Sequence, residues 1–137
     1  MKKILLLSMM LMVSMAGLMA QNQVSQAEIK FDRNVHNFGE FSEKNPIVTT
    51  TFTFENVGNA PLIINQAVAS CGCTVPEYTK EPVQPGGKGE IKVTYNGTGK
   101  FPGHFKKSIT VRCNGVVEMV RLYIEGDMTE DKKEVTQ

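Results

Sequence analysis

Residues 46–56 carry the clearest pattern in the chain, Pro-Ile-Val-Thr-Thr-Thr-Phe-Thr-Phe-Glu-Asn. Apolar and polar side chains take opposite parities, with Val48, Phe52 and Phe54 on one and Thr49, Thr51, Thr53 and Glu55 on the other. Successive side chains of a β-strand point to opposite faces of the sheet, and Thr and Phe favour strands. The segment therefore predicts a half-buried strand with its rings in the core and its hydroxyls in solvent.

Segments with strand character recur on both sides of it, at spacings of about eight to twelve residues. They are residues 28–32, 35–39, 62–68, 89–95, 104–113 and 116–125. Residues 62–68 are apolar on both parities near their start, which predicts a central strand. Residues 76–88, rich in Pro and Gly, predict a loop that contains a type II turn at Pro85-Gly86, and Asn114-Gly115 predicts a tight hairpin. The pattern as a whole predicts an all-β fold, an antiparallel β-sandwich of about seven to eight strands.

The N-terminus has the layout of a cleavable signal peptide over residues 1–20. A short basic start is followed by an apolar run at residues 4–13 and by small residues ending at Ala20. The apolar run is too short for the roughly 20 residues that span a bilayer as a helix. No cysteine lies near the cleavage point to carry a lipid. We therefore expect an exported protein, periplasmic or extracellular, with neither a membrane span nor a lipid anchor.

The rest of the chain divides into a polar leader at residues 21–27, one domain at residues 28–126 and a charged flexible tail at residues 127–137. Removal of Lys2 and Lys3 with the signal lowers the Lys and Arg count from 15 to 13, against 14 Asp and Glu. The formal charge then changes from +1 to −1. Without a basic patch, no nucleic-acid partner is expected.

Cys71 and Cys73, separated by Gly72, are the one feature that predicts chemistry. Alternate α-carbons of an extended strand lie about 6.6 to 7 Å apart, at the upper limit for a disulfide, so a Cys71–Cys73 bond needs a tight turn that Gly72 would permit. Such a bond would be strained and easily reduced, as in a redox centre. If reduced, the two thiolates could hold a soft ion such as Cu(I). A structural role for both cysteines, as buried hydrophobic residues or as a crosslink, is the interpretation that we favour.

Cys113 lies on the inward parity of its strand, and with three cysteines at most one intramolecular disulfide can form. A bond from Cys71 or Cys73 to Cys113 would close a loop of about 40 residues, worth about 3 to 4 kcal/mol in the chain-entropy model. A buried, unpaired Cys113 is the simpler prediction.

Catalytic patterns are not found in the sequence. His36, beside the bend at Phe38-Gly39, is expected to be structural, and His104 to be exposed. There is no recognisable Ser, His and Asp set, carboxylate pair or phosphate-binding glycine loop, so we expect no enzyme. The face carrying Thr49, Thr51 and Thr53 could accept a partner strand if it lies at a sheet edge.

Several segments resemble the secreted bacterial family known as domain of unknown function 1573 (DUF1573). They are Phe31-Asp32, His36-x-Phe38-Gly39, Phe52-x-Phe54-x-Asn56-x-Gly58-Asn59-x-Pro61-Leu62, Ser70-Cys71-Gly72-Cys73-Thr74, Pro85-Gly86 with Gly89, and Gly103-x-Phe105-x-Lys107. The resemblance extends from about Ile29 to Gly126 and implies an immunoglobulin-like fold, export and no established activity. Two positions depart from the family pattern: Asn37 replaces a more frequent Asp, and Cys113 a more frequent Ser.

These observations favour an exported, non-catalytic, immunoglobulin-like binding or scaffolding module. Its partner would be a protein or another component of the cell envelope, and no cofactor is expected. The main alternative is an extracytoplasmic Cu(I)-binding protein, such as a copper chaperone, that uses Cys71 and Cys73. A thiol-disulfide redox protein is the third.

Overall fold

The structure, a computed structural model, describes residues 24–131. These residues form strands and no helix. In chain order the strands are β1 (Ile29–Phe31), β2 (Val35–Ser42), β3 (Ile47–Asn56), β4 (Ile64–Ala69), β5 (Thr74–Tyr78), β6 (Lys88–Asn96), β7 (Gly103–Cys113) and β8 (Met119–Thr129). The signal peptide predicted at residues 1–20 lies outside the described residues.

Two four-stranded sheets pack face to face. The first sheet has the order β1-β3-β6-β5, and the second has the order β2-β8-β7-β4. This arrangement confirms the predicted all-β sandwich. One pair departs from the antiparallel expectation, because β2 runs parallel to β8. The chain crosses from β1 in the first sheet to β2 in the second over three residues without reversing direction, which places β2 alongside the last strand in parallel.

The core forms from the inward parities that the sequence predicts. Fully buried side chains come from both sheets: Phe52, Phe54, Ile91 and Val93 from the first, and Ile109, Val111, Leu122 and Ile124 from the second. Between the sheets the rings of Tyr95 and Phe105 stack with centroids 3.9 Å apart. On the outer face of the first sheet, the hydroxyls of Thr49 and Thr94 lie 3.1 Å apart. The alternation of β3 therefore places its rings and hydroxyls as expected.

Residues 62–68 do not form the central strand that their apolar run predicts. β4 begins at Ile64 and is an edge of the second sheet. Leu62 leaves the sheet and pairs instead with Val83 in an isolated bridge. Ile63 and Val68 point outward and are 39% and 47% exposed. These exposed apolar residues gave the segment apolar side chains on both parities, which is why the sequence predicted a central strand.

β5 lies partly in the region that was expected to be a loop. Pro76 is within this strand, opposite Val93 of β6. The N–H of Asn96 donates to the carbonyl of Cys73, and the N–H of Thr79 donates to the carbonyl of Glu90. The odd-numbered residues of this segment therefore direct their backbone groups towards β6, and the even-numbered residues direct theirs away from it. The missing N–H of Pro76 therefore faces away from β6, at the outer edge, where proline is tolerated.

The turn between β7 and β8 is longer than a tight hairpin at Asn114-Gly115. Cys113 donates its N–H to the carbonyl of Glu118, which closes the loop beyond both residues. Neither Asn114 nor Gly115 has positive φ. The side chain of Asn114 instead accepts from the N–H of Ile63 and donates to the carbonyl of Pro61. Tertiary hydrogen bonds thus override the local turn preference.

The segments expected to be loose at either end are partly ordered. Ala27, at the end of the predicted leader, is 2% exposed, and its carbonyl accepts from the N–H of Val116. β8 continues to Thr129, so the tail predicted from residue 127 begins within a strand. Met128 of this extension is buried.

Candidate functional site

The Cys71-Gly72-Cys73 segment links β4, at the edge of the second sheet, to β5, at the edge of the first. Cys71 and Cys73 form a disulfide, with their α-carbons 5.4 Å apart. Both cysteines are half-buried and Gly72 is exposed. Gly72 does not have positive φ, and an added Cβ would meet nothing within 4 Å. The tight turn is formed, but its backbone geometry does not require the conformational freedom of Gly72.

Hydrogen bonds from both sheets fix this disulfide turn. On one side, the N–H of Ser70 donates to the carbonyl of Ser108, and the N–H of Ser108 donates back to Ser70 Oγ. On the other side, the N–H of Asn96 donates to the carbonyl of Cys73 at 2.8 Å. The turn is therefore held in place by main-chain contacts that do not depend on the disulfide.

The covalent ring contributes little to the stability of the fold. A ring this short reduces the entropy of the unfolded chain by only about 1.6 kcal/mol in the chain-entropy model, less than half the value for a 40-residue loop. Both cysteines are only partly buried, and Cys73 packs against the core. In the part of the chain that the structure describes, no group of three or more His, Cys, Asp or Glu residues could hold a metal ion. A soft ion bound here would have Cys71 and Cys73 as its protein ligands.

Cys113 does not join the disulfide and is a free, buried thiol. The bond from Cys71 or Cys73 to Cys113 that the sequence allowed is not formed. The thiol donates to the carbonyl of Val117 at 3.2 Å, and burial raises the pKa of Cys113. A thiol with a raised pKa and little exposure is a poor nucleophile.

The two histidines lie on different strands and do not form a site together. His36 is half-buried on β2, with its ring 4.7 Å from that of Phe38. Burial, with a smaller contribution from the charge of Arg33, lowers the pKa of His36. His104, at the start of β7, is exposed as expected and lies 3.0 Å from a carboxylate oxygen of Asp127.

Asn56 explains the turn motif that follows β3. Its side chain is fully buried and donates to the carbonyls of Ala60 and Val83 at 2.7 and 2.9 Å. Its Oδ1 atom accepts from the N–H groups of Glu28 and Gly58. Four backbone groups of three separate segments therefore depend on this one amide. Gly58 is required because a Cβ there would lie 2.3 Å from a backbone oxygen of the leader.

Two of the other motif positions form turns with positive φ. Gly86 has φ of 78°, and the N–H of Gly87 donates to the carbonyl of Gln84, which gives the type II turn at Pro85-Gly86 that the sequence predicts. Gly39 has φ of 69° at a register shift in β2, where its N–H donates to Asn37 Oδ1. Pro61 accepts from the side chain of Asn114.

The edge of β3 that faces β1 is open over half its length. β1 is short and pairs only with Phe54 to Asn56, whereas β6 pairs with the whole of β3 from Ile47 to Glu55. The odd-numbered residues of β3 direct their backbone groups towards β1, as shown by the bond from the N–H of Asp32 to the carbonyl of Thr53. Among the described residues, the backbone groups of Thr49 on this edge have no partner.

Two side chains mark where the open edge ends. Asp32 Oδ1 accepts from the N–H of Thr53 at 3.2 Å. Arg33 Nη2 donates to the carbonyl of Thr51 at 2.9 Å and to Thr50 Oγ1 at 3.1 Å. The guanidinium also lies 5.1 Å above the ring of Phe52. β3 is therefore not an edge strand as a whole, and its outer edge is free only from Ile47 to Thr51.

A family model matches residues 29–128, about three quarters of the chain. The chain belongs to the DUF1573 family, proteins of unknown function. No curated protein matches it. The family assignment agrees with the resemblance carried by the Ser-Cys-Gly-Cys-Thr element and by the Asn56 turn.

Solved structures share the fold of this DUF1573 domain at low sequence identity. A protein of unknown function from Porphyromonas gingivalis W83 has 13% identity and a TM-score of 0.65, over 76% of this chain and 48% of its own. The present chain thus spans about half the length of that protein. PapD-like domain 7 of human CEP192 has 9% identity and a TM-score of 0.63, over 85% and 95%. The periplasmic chaperone SfaE has 8% identity and a TM-score of 0.52, over 79% and 60%. These similarities show an immunoglobulin-like, PapD-like fold.

The sequence missed two residues that shape the DUF1573 surface. Asp32 was noted only as part of a family motif, and Arg33 was not singled out. Their roles depend on the crossing between the sheets, which places both side chains against β3. A charged pair directly after a very short strand was the available signal.

No helix in the described part of the chain is long and apolar enough to cross a membrane.

Proposed function

We propose that the mature DUF1573 protein is an exported, non-catalytic binding module that takes an extended segment of a partner protein along the open edge of β3. The observation that carries this proposal is the short length of β1, which leaves the backbone groups of Ile47 and Thr49 and the N–H of Thr51 without a partner among the described residues. An unpaired strand edge is a template for another strand, and strand addition is a recurrent mode of peptide recognition.

The interaction would be modest in strength and would depend on the backbone. Each net hydrogen bond contributes about 0.5 to 1.5 kcal/mol, and the free edge offers a few of them. Ile47, 57% exposed, provides an apolar contact for a side chain of the partner. Arg33 already donates to the carbonyl of Thr51 and would stop the added strand at that point. The site therefore suits a short segment in one register.

Export and a lack of catalysis are parts of the same proposal. The basic, apolar and small-residue order of residues 1–20 supports export. The Cys71–Cys73 disulfide supports an oxidising compartment, since disulfides persist mainly outside the cytosol. The histidines lie apart, and the free Cys113 thiol is buried, which supports a binding role over an enzymatic one.

Selection from a random ten-residue peptide library displayed on phage tests the proposal directly. We expect peptides that bind the mature wild-type protein and Thr49→Ala, which keeps the backbone N–H, but not Thr49→Pro, which removes it. Proline at this position leaves the β6 pairing intact because the N–H of Thr49 faces the open edge. Thermal unfolding would verify that Thr49→Pro is folded. Failure to enrich any peptide, or equal binding by Thr49→Pro, would reject the proposal.

A second candidate is the binding of Cu(I) by reduced Cys71 and Cys73. The disulfide shows that both sulfurs can lie on the same side of the turn, close enough to share one ion. Thiolates are preferred ligands of Cu(I). Anaerobic titration of the reduced protein would give a one-to-one complex that the Cys71→Ser/Cys73→Ser variant does not form. An equal signal from that variant would remove this candidate.

The same pair of sulfurs could serve in thiol-disulfide exchange, the third candidate. Equilibration of the protein with glutathione buffers measures the potential of the pair. A redox role requires a potential well above the roughly −300 mV below which structural disulfides lie. A value below that limit would leave the disulfide with a structural role.

A further inference from the structure

The outer face of the second sheet brings together two of the three arginines in the chain, Arg112 and Arg121. In the pairing of β7 with β8, Arg121 lies opposite Thr110, and Arg112 lies opposite Met119. The two arginines are therefore diagonal neighbours on one face, with α-carbons about 7 to 8 Å apart. Both side chains are exposed.

Neither guanidinium forms a hydrogen bond or an ion pair with another group in residues 24–131. Both line a groove of about 480 Å³ across β4, β7 and β8. The other polar side chains of the groove are Gln66, Ser70, Ser108 and Thr110, and no carboxylate from the described part of the chain lines it. The groove thus combines two positive charges with neutral donors and acceptors.

Adjacent like charges repel each other, and an anion placed between them relieves the repulsion. Arginine is also the side chain best suited to this task, because its planar guanidinium binds a carboxylate through two parallel hydrogen bonds. The mature chain carries a formal charge of about −1. Within residues 24–131 neither arginine forms an ion pair, and the nearest carboxylate along the sheet, Glu118, lines the adjoining groove with Arg112. The two arginines are therefore a local feature, not part of a generally basic surface.

We propose that this arginine groove binds an acidic peptide segment of a partner protein in an extended conformation. Alternate residues of an extended peptide lie about 6.6 to 7 Å apart on the same side, which matches the spacing of the two arginines. Asp or Glu at alternate positions would pair with Arg112 and Arg121. Thr110 lies between the two arginines and Gln66 lies beside Arg112, so these two side chains would hydrogen-bond the peptide backbone there.

The groove is separate from the open edge of β3. β3 belongs to the first sheet, whereas the groove lies on the outer face of the second. Binding at one surface does not block the other, so the molecule could bridge two partner segments. The arginine groove thus extends the proposed binding function to a scaffolding role, and it can be tested on its own.

The test uses a fluorescein-labelled peptide of alternating Ser and Asp, eight residues long by design, in low-salt buffer. We expect wild-type protein to bind it, and Arg112→Gln/Arg121→Gln to bind at least tenfold more weakly. Lys88→Gln/Lys92→Gln, on exposed positions of β6, changes the net charge equally and should bind as wild type does. The Thr49→Pro variant should also bind normally, which separates this site from the β3 edge.

Three comparison ligands test whether binding requires negative charge, alternate spacing of the charges and a peptide. Binding of a Ser-Asn peptide should be undetectable, and a peptide with its four Asp residues in one block should bind several-fold more weakly. An equal loss with the lysine variant, or no binding by wild type, would overturn the proposal. So would a result in which heparin fragments bind the groove and the acidic peptide does not. The thermal midpoint of the arginine variant should be unchanged or raised, because a repulsion has been removed.

Discussion

At the level of single residues, one buried polar side chain connects separate segments of the fold. Asn56 follows the two core phenylalanines of β3, yet its amide is as buried as their rings. Buried polar groups persist when every donor and acceptor is satisfied, and each hydrogen-bonding atom of this amide has partners. The asparagine therefore ties the leader, the turn after β3 and the Val83 segment to one point.

We predict that Asn56→Ala lowers the free energy of unfolding by about 3 to 4 kcal/mol, because it leaves several buried backbone groups without partners. Urea unfolding followed by circular dichroism measures the loss. Asn96→Ala is the matched control, since Asn96 is exposed and bonds only locally, to the N–H of Thr98. We expect it to cost less than about 1 kcal/mol. Equal losses would show that Asn56 has no special role.

The raised pKa of Cys113 should make the stability of the protein depend on pH in the alkaline range. Because burial raises its pKa above the ordinary value of 9.0, the thiol ionises more readily in the unfolded chain than in the native protein. Stability should therefore fall as pH rises above about 9. The Cys113→Ala variant should lose less stability than wild type between about pH 8 and 10. Parallel curves for the two proteins would contradict this assignment.

The role of a residue was predictable where it depends only on the local backbone conformation. It was not predictable where it depends on contacts between segments that are distant in sequence. The Pro85-Gly86 turn follows from its own sequence, because proline and glycine fix the dihedral angles of a type II turn. Asn56 was recognised as part of a motif, but its contact with Val83 depends on how the chain returns. Arg33 was missed for the same reason. Gly72, by contrast, was assigned a conformational role that its φ does not require.

At the scale of strands, periodicity located the elements better than it located their neighbours. Strands with one apolar parity, such as β3 and β6, form as predicted because each buries that parity in a core between two sheets. An apolar run cannot reveal whether a strand is central, so β4 was misplaced. β5 was not predicted because it contains Pro76. A proline fits in a strand only where its missing N–H faces solvent, and the sequence does not show which edge of the strand does so.

The last residues of β8 contribute to the stability of the domain. Asp127, Met128 and Thr129 pair with β2, and Met128 is 3% exposed. A chain that ends at Gly126 should lose about 2 to 4 kcal/mol of stability relative to one that ends at Asp131, mainly from the lost burial of methionine and the lost strand pairing. Urea midpoints of the two truncated proteins give the comparison. Equal midpoints would show that the domain ends before residue 127.

At the scale of the whole molecule, the sandwich was predictable because its stability comes from two inward faces that the sequence marks repeatedly. Its binding surfaces were not predictable in the same way. The open edge of β3 exists because β1 stops at Phe31 and the chain crosses to the other sheet. The arginine groove exists because β7 and β8 pair in one register. Both depend on which strands become neighbours, and no local pattern encodes that.

Together these surfaces describe a small domain that offers backbone hydrogen bonds at one edge and positive charge on one face. The disulfide turn lies at the opposite edge from the open part of β3, where it connects β4 to β5. The fold thus keeps the two disulfide sulfurs apart from the edge proposed to bind a partner. A binding role for that edge does not depend on the oxidation state of the cysteines.

Amide hydrogen exchange of the DUF1573 domain, measured residue by residue by NMR, reports whether the outer edge of β3 is open and can accept a strand. In the free protein, we predict rapid exchange at Thr49 and slow exchange at Thr50 and Phe52, whose N–H groups point towards β6. A peptide selected on the wild-type protein should slow the exchange of Thr49 and Thr51 and leave Thr50 unchanged. Strong protection of Thr49 in the free protein, or no change when the peptide binds, would contradict the proposed strand-accepting edge.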